Sequence, residues 1–187
     1  MTCATCPHGR CLLTSRRVSD EGGKDVEANM ATATDGICHA EAVRDAATRF
    51  RAAREQGGLR LHSLADFPKG SCGEASELLG QYLSDSGLGT WGCRSGMQLD
   101  PVFSHAWVER DGLIVDITAD QFPDVSAPVL LTTDRTWHYA RFPPIPGHDA
   151  ASLDWFKSND NRAAALSDYE VLKRRAGRGR RSHVGSC

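Results

Sequence analysis

Apolar residues recur at every third or fourth position in two segments of the first half of the chain. Residues 38–56 carry small and apolar side chains at helical spacing, and Gly57-Gly58 follows as a stop signal. Residues 72–84 carry a second apolar stripe of the same kind, with acidic and amide side chains between its members. The pattern predicts two amphipathic helices, and Cys72 is the first residue of the second one.

Short runs with strand-like composition fill the second half, separated by turns rich in Gly, Pro and Asp. They are residues 90–95, 104–110, 113–118, 128–132 and 137–142. The proline-rich stretch 143–147 predicts the end of the compact region, and residues 153–175 predict one or two further helices. Helices followed by strands with short turns indicate an α+β fold, with the N-terminal helices packed on a small antiparallel β-sheet.

The dipeptide Asp111-Gly112 predicts a two-residue hairpin turn between the runs 104–110 and 113–118, because Asp-Gly tolerates the positive φ angles that such a turn requires. The turn fixes the register of the two strands. In that register His105 and Asp116 share one face as diagonal neighbours on adjacent strands, with their backbones about 7 to 8 Å apart. An imidazole and a carboxylate can close this separation with one hydrogen bond.

Length and charge place few constraints on the function. The chain has 187 residues, which suits one domain with tails, and its 22 basic and 24 acidic residues nearly balance. No stretch approaches the roughly 18 apolar residues of a membrane span, so we expect no membrane partner and a cytoplasmic location. The seven cysteines are an odd number, which favours reduced thiols over a disulfide framework.

Composition divides the chain into three parts. We expect a flexible lead over residues 1–36, a compact domain over residues 37–146, and a helical extension with a basic tail over residues 147–187. The lead contains four side chains of the metal-binding type within nine residues: Cys3, Cys6, His8 and Cys11. Zinc sites usually join two ligand pairs across a loop, so we expect no metal here and no cofactor for the protein.

Cys72, His105 and Asp116 form a candidate thiol-based catalytic triad. A cysteine at a helix N-terminus lies at the positive end of the helix dipole, and a nearby imidazolium lowers its pKa further, so we expect a thiolate at neutral pH. Asp116 follows apolar residues of its strand and is costly to bury unless paired, and His105 is the candidate partner. Such a triad attacks a carbonyl carbon and forms a thioester.

Three motifs together resemble the transglutaminase-like branch of the papain-like cysteine enzymes. They are Gly70-x-Cys72 at the start of a helix, His105-Ala106-Trp107-Val108-Glu109, and Asp116-x-Thr118 on the next strand, within residues 68–122. The resemblance implies a papain-like fold with Cys72 as nucleophile, His105 as general base and acid, and Asp116 as the orienting acid. It also implies an amide, a peptide or a glutamine side chain as substrate.

Several alternatives remain open at this level. Residues 63–71 contain neither Gln nor Asn, so the sequence does not identify a second oxyanion donor beside the N–H group of Cys72. The other hypothesis is therefore a catalytically inactive module of the same fold that binds a peptide or a protein. Trp107 is a candidate for the substrate groove, whereas Gln121-Phe122 either closes the site or packs in a turn. We expect His138 and His148 at the surface, without a role.

Basic residues cluster in residues 173–181. This charge suits an acidic partner, but it lacks the interleaved aromatic side chains that stack on bases. We therefore expect a solvated, disordered tail and no nucleic acid partner. The sequence leaves the oligomeric state open.

Overall fold

The computed structural model describes residues 24–158 and 160–178, and the side chains of residues 36–157 and 160–178. The cysteines at positions 3, 6 and 11, most of the expected lead and the end of the basic tail lie outside the described residues. The chain divides after Glu41 into two compact units. The described part of the first unit is helical, and the second unit, from Ala42 onward, contains the sheet and the candidate site.

The described residues include four α-helices, five strands and three short 3-10 helices. The helices are α1 Lys24–Glu55, α2 Cys72–Asp85, α3 Thr136–Arg141 and α4 Arg162–Arg178, and the strands are β1 Gly92–Leu99, β2 Val102–Arg110, β3 Leu113–Asp116, β4 Leu130–Thr132 and β5 Pro144–His148. All pairs in the sheet are antiparallel, in the order β4-β3-β2-β1-β5. The predicted α+β class is therefore confirmed.

Helix α1 begins at Lys24 rather than near residue 38. Its added residues contain good helix formers but no apolar stripe, so hydrophobic periodicity gives no signal there.

The hairpin of β2 and β3 has the register that its turn predicts. Arg110 pairs with Leu113 and Val108 pairs with Val115. Asp111 and Gly112 adopt φ angles of 50° and 81°, the left-handed conformations that this turn type needs. His105 and Asp116 therefore fall on the same face of the hairpin.

Both faces of the sheet are covered. Val108 and Val115 point into the larger core, which also contains buried residues of α1, α2 and α4. On the opposite face Trp107, Ile114, Phe122 and Phe142 form a second, aromatic core. Because side chains alternate along a strand, His105 and Asp116 lie on the side of this aromatic core.

Two elements differ from their predictions. Residues 137–142, predicted as a strand, form helix α3, where the Thr136 N–H donates to the Asp134 carboxylate at 2.8 Å. The proline-rich segment expected to end the compact region contains β5, which pairs with β1 at the sheet edge. Edge strands tolerate proline, because one side of the strand needs no ladder hydrogen bonds.

The basic segment is partly ordered, so the prediction of a disordered tail is wrong for its first residues. Lys173 pairs with Asp85, and Arg175 donates to the carbonyl oxygens of Ala53 and Gly57 at 3.2 and 2.8 Å. These contacts hold α4 against α1 and α2. Within the described chain, none of the helices combines the length and the apolar character that crossing a membrane requires.

Candidate active site

Cys72 is the first residue of α2 and lies at its open end. Ser71 precedes the helix and donates from Oγ to the carbonyl oxygen of Pro68 at 2.9 Å, while the N–H of Ala75 begins the helical ladder by donating to Ser71. The backbone N–H groups of the first helical turn have no acceptor within the helix. Cys72 is a partly exposed free thiol, so sulfur and open N–H groups meet at one point.

His105 and Asp116 form the hydrogen bond that the hairpin register predicts. Nε2 of His105 lies 2.6 Å from Oδ2 of Asp116, and both side chains are at most 1% exposed. The other carboxylate oxygen, Oδ1, accepts from the backbone N–H and the hydroxyl of Thr118, at 2.8 and 3.0 Å. The buried carboxylate thus has partners on both oxygens, and its orientation is fixed.

The two groups favour each other's charged form. Burial alone would lower the pKa of His105, but the charge and hydrogen bond of Asp116, with a further contribution from Cys72, raise it to about 9. Burial would likewise raise the pKa of Asp116, but His105 and then His138 lower it below the usual range of a carboxyl group. At neutral pH the pair is therefore an imidazolium and a carboxylate.

The second ring nitrogen of His105 is left for the thiol. Nε2 is engaged by Asp116, so Nδ1 is the ring nitrogen that Asp116 leaves for other partners, and the contribution of Cys72 to the raised pKa of His105 is consistent with a thiol close to this ring. Gln121 lies on the same side, with its Nε2 3.5 Å from Nδ1 of His105 and donating to the Thr118 carbonyl oxygen at 2.9 Å. The three residues predicted as a triad are thus brought together, with an amide side chain beside them.

His138 is a fourth member of this network that the sequence did not reveal. It is fully buried on α3, and its Nε2 lies 3.0 Å from Oδ2 of Asp116, so the expectation of a surface position was wrong. The error follows from the strand predicted for residues 137–142, whose geometry would have directed this side chain elsewhere. No local motif marks His138, because its partner is distant in sequence.

Trp107 does not line a groove. Its side chain is fully buried, and its ring packs 4.7 Å from that of His138 and 5.7 Å from that of Tyr139, measured between centroids. The expected contact with substrate is therefore corrected to a core position. Trp107 supports the rings around Asp116 from within the aromatic core.

A cavity of about 600 Å³ opens at Cys72. Its walls are largely apolar, and its polar and charged members include two cations and one amide. The lining residues are Lys69, Gly70, Cys72, Val102, Phe103, Ser104, Gln121, Phe122, Pro123 and Arg141. The thiol therefore faces a space large enough for a peptide segment or a small amide.

Comparisons of the chain with models of protein families, with curated proteins and with solved structures found no match. What the site can do therefore rests on the geometry of its own residues.

Two groups of side chains have the composition of metal ligands. One is His105, Asp116 and His138, and the other is Glu77, Cys93 and His148. In the first group both imidazole Nε2 atoms are already within hydrogen-bonding distance of one carboxylate oxygen, and all three side chains are buried. These atoms are therefore already paired with one another in the hydrogen-bonded network.

Proposed function

We propose that this protein is a cysteine-dependent hydrolase or acyl-transfer enzyme with a papain-like, transglutaminase-like catalytic core. The observation that supports this most is the position of His105, which interacts with the Cys72 thiol and hydrogen-bonds a buried carboxylate that has partners on both oxygens. An imidazole in that position can hold a proton, pass it to a leaving group and take one from an acceptor. Cys72 is the nucleophile, and Asp116 orients and stabilises the imidazolium.

The reaction proceeds in two halves. The sulfur of Cys72 attacks the carbonyl carbon of an amide, and the C–N bond breaks as His105 protonates the leaving nitrogen. The product of this half is a thioester and a free amine or ammonia. Water or an amine then attacks the thioester carbon, His105 accepts its proton, and cleavage of the C–S bond restores Cys72.

The tetrahedral intermediates of both halves carry a negatively charged oxygen. The N–H group of Cys72 at the open end of α2 is suited to donate to it. Gln121 is the candidate for the second donor, because its amide nitrogen lies next to His105 and its side chain faces the cavity at Cys72. It takes the place of the amide donor that the residues before Cys72 lack.

The cavity walls suggest the class of substrate. Phe103, Phe122 and Pro123 offer apolar contact beside the thiol, and Lys69 adds an exposed cation at the same opening. An opening with these side chains fits a peptide or a glutamine side chain with apolar neighbours. A catalytic thiol must stay reduced, so we also propose a reducing compartment such as the cytoplasm.

Alkylation of Cys72 tests the nucleophile directly. We expect iodoacetamide to modify Cys72 rapidly near pH 6, as mapped by peptide mass spectrometry, and His105→Ala to slow this modification to the rate of an ordinary thiol. Cys93, which is buried, serves as the internal control. A thiol at Cys72 that reacts slowly at pH 6 in the unaltered chain would reject the proposal and favour the inactive peptide-binding module.

The fate of the thioester separates hydrolysis from transfer. A library of glutamine-containing peptides is incubated with the chain, with and without a primary amine, and both ammonia and peptide masses are followed. Conversion of Gln to Glu indicates deamidation, a shorter peptide indicates proteolysis, and incorporation of the amine indicates transfer. Cys72→Ser should abolish each product, and turnover retained in that variant would exclude Cys72 as the nucleophile.

A further inference from the structure

A second cluster of nucleophilic and ligand-type side chains lies outside the catalytic network, where α2 crosses the β1–β5 edge of the sheet. Glu77 comes from α2, Cys93 from β1 and His148 from β5. Their ligand atoms, one oxygen, one sulfur and one nitrogen, lie within 4.8 Å of one another. The proposed catalytic steps use none of these three side chains.

The pairing of β1 with β5 brings two members of the cluster together. Cys93 and His148 are directly opposite each other in the antiparallel pairing of β1 with β5. Gly147 permits the close approach, since a Cβ atom at this position would lie 2.5 Å from the carbonyl oxygen of Cys93. Cross-strand partners have Cβ atoms about 4.5 to 5.5 Å apart, a separation that suits two ligands of one ion.

Glu77 completes the cluster from the helix. Its side chain is 1% exposed, and a buried carboxylate is costly unless it is well partnered. Oε2 accepts from the backbone N–H of Ser152 at 2.9 Å, which leaves Oε1 directed toward His148. This arrangement resembles that of a metal-bound carboxylate, in which the second oxygen is fixed by a backbone donor.

His148 and Glu77 are in contact as a close ion pair that lacks the alignment of a hydrogen bond. Nε2 of His148 lies 2.7 Å from Oε1 of Glu77, yet the geometry of the pair does not fit an N–H donor, and this buried nitrogen has no hydrogen-bond partner among the described residues. Two lone pairs repel each other at this distance, so the close approach of the nitrogen and the carboxylate oxygen is favourable when a proton or a metal ion lies between them. The rest of the His148 side chain is partly exposed, at 41% for the side chain as a whole.

We propose that Glu77, Cys93 and His148 form a binding site for a borderline-soft divalent cation such as Zn²⁺. Thiolate, imidazole and carboxylate ligands suit Zn²⁺, with bonds of about 2.0 to 2.3 Å, and a water molecule can supply the fourth ligand. The site ties α2 to β1 and β5, and so fixes the helix that begins with Cys72. Without an ion, burial and Glu77 raise the pKa of the Cys93 thiol, so the ion displaces a proton when it binds.

Cobalt titration tests the site without reference to activity. The full-length chain is used with Cys3, Cys6 and Cys11 changed to Ser, because those residues also have ligand chemistry. After removal of metal, stoichiometric Co²⁺ should produce a near-ultraviolet thiolate-to-cobalt band and the visible absorption of a four-coordinate ion, and Zn²⁺ should displace it. A chain that shows no such band would overturn the proposal.

Variants locate the ion. Cys93→Ser should remove the thiolate band, and His148→Ala should weaken Co²⁺ binding by more than about tenfold. The matched controls are Cys72→Ser and His62→Ala, which should leave the band unchanged. Circular dichroism verifies that each variant is folded, and His148→Ala, at a partly exposed position, provides the answer if Cys93→Ser does not fold. A band that persists in His148→Ala with unchanged affinity also overturns the proposal.

Discussion

Nε2 of His138 lies 3.0 Å from Oδ2 of Asp116, the carboxylate oxygen that also bonds His105. One oxygen is therefore contacted by two imidazoles, one from β2 and one from α3, while Thr118 bonds the other oxygen. The acid of the candidate triad is held on all sides by buried partners. Its position depends on α3 as well as on the hairpin that the sequence predicts.

His138→Phe removes the second imidazole and keeps an aromatic ring in the core. We expect the free energy of unfolding to fall by about 1.5 to 3 kcal/mol, the usual contribution of a hydrogen bond to a charged group. Denaturant unfolding measures this loss, and His62→Phe at an exposed position is the control. Equal stability of His138→Phe and the unaltered chain would show that the contact contributes nothing.

Asp116→Asn removes the charge that keeps His105 protonated. The pKa of His105 stands at about 9 because Asp116, despite the opposing effect of burial, favours the imidazolium. Activity that needs this imidazolium as a general acid should therefore persist to about pH 9 in the unaltered chain and decline above it. In Asp116→Asn we expect this alkaline limb to move to lower pH, as measured by kcat/KM against pH. A limb at the same pH in both proteins would contradict this role.

The raised pKa of His105 also makes the free energy of unfolding depend on pH. A histidine whose folded pKa exceeds its ordinary value of 6.5 contributes stability below about pH 6.5, and this contribution is lost as pH rises toward 9. The Cys72→Ser background prevents ionisation of the thiol from offsetting the effect. There we expect the free energy of unfolding to fall by at most about 1.4 kcal/mol per pH unit across this range, relative to the same chain with His105→Gln. A constant difference between the two chains would refute the linkage.

The hairpin and its two site residues were predictable because the information is local. Asp111-Gly112 fixes the turn, alternation assigns the faces, and the register then places His105 beside Asp116 without knowledge of the rest of the chain. The position of Cys72 was equally predictable, since this residue begins a helix with a clear apolar stripe. Short stretches of sequence thus predict each of the three positions, whereas the approach of Cys72 to His105 depends on the packing of α2 against β2.

The rest of the site depends on long-range packing. Residues 137–142 have the aromatic composition of a strand, yet they form α3, and only this helix turns His138 toward Asp116. β5 pairs with β1 across about fifty residues, a contact that proline-rich sequence argues against. Tertiary contacts determine the secondary structure of both segments, and the hydrophobic pattern along the chain does not predict those contacts.

Gln121→Ala tests the second oxyanion donor. Its amide nitrogen lies 3.5 Å from Nδ1 of His105 and faces the cavity. Loss of one oxyanion donor commonly lowers kcat by about 100- to 1,000-fold, so we expect a loss of this order with little change in KM. Alkylation of Cys72 at pH 6 should stay fast, because the thiol and His105 remain. A change confined to KM would instead assign Gln121 to substrate binding.

Arg51→Met tests how the loop that carries Gln121 is held. Arg51 is 8% exposed, donates to the carbonyl oxygens of Ile117 and Pro128 at 2.7 and 2.5 Å, and forms a two-pronged ion pair with Asp120. Its removal leaves these acceptors unpaired, so we expect the free energy of unfolding to fall by about 3 kcal/mol, measured by denaturant titration. Arg51→Lys should recover only part of this loss, because an ammonium group cannot reproduce the planar fork of the guanidinium. Because the same loop positions Thr118 and Gln121, kcat should fall in both variants under conditions where they remain folded, and full activity in folded Arg51→Met would show that the loop is positioned without it.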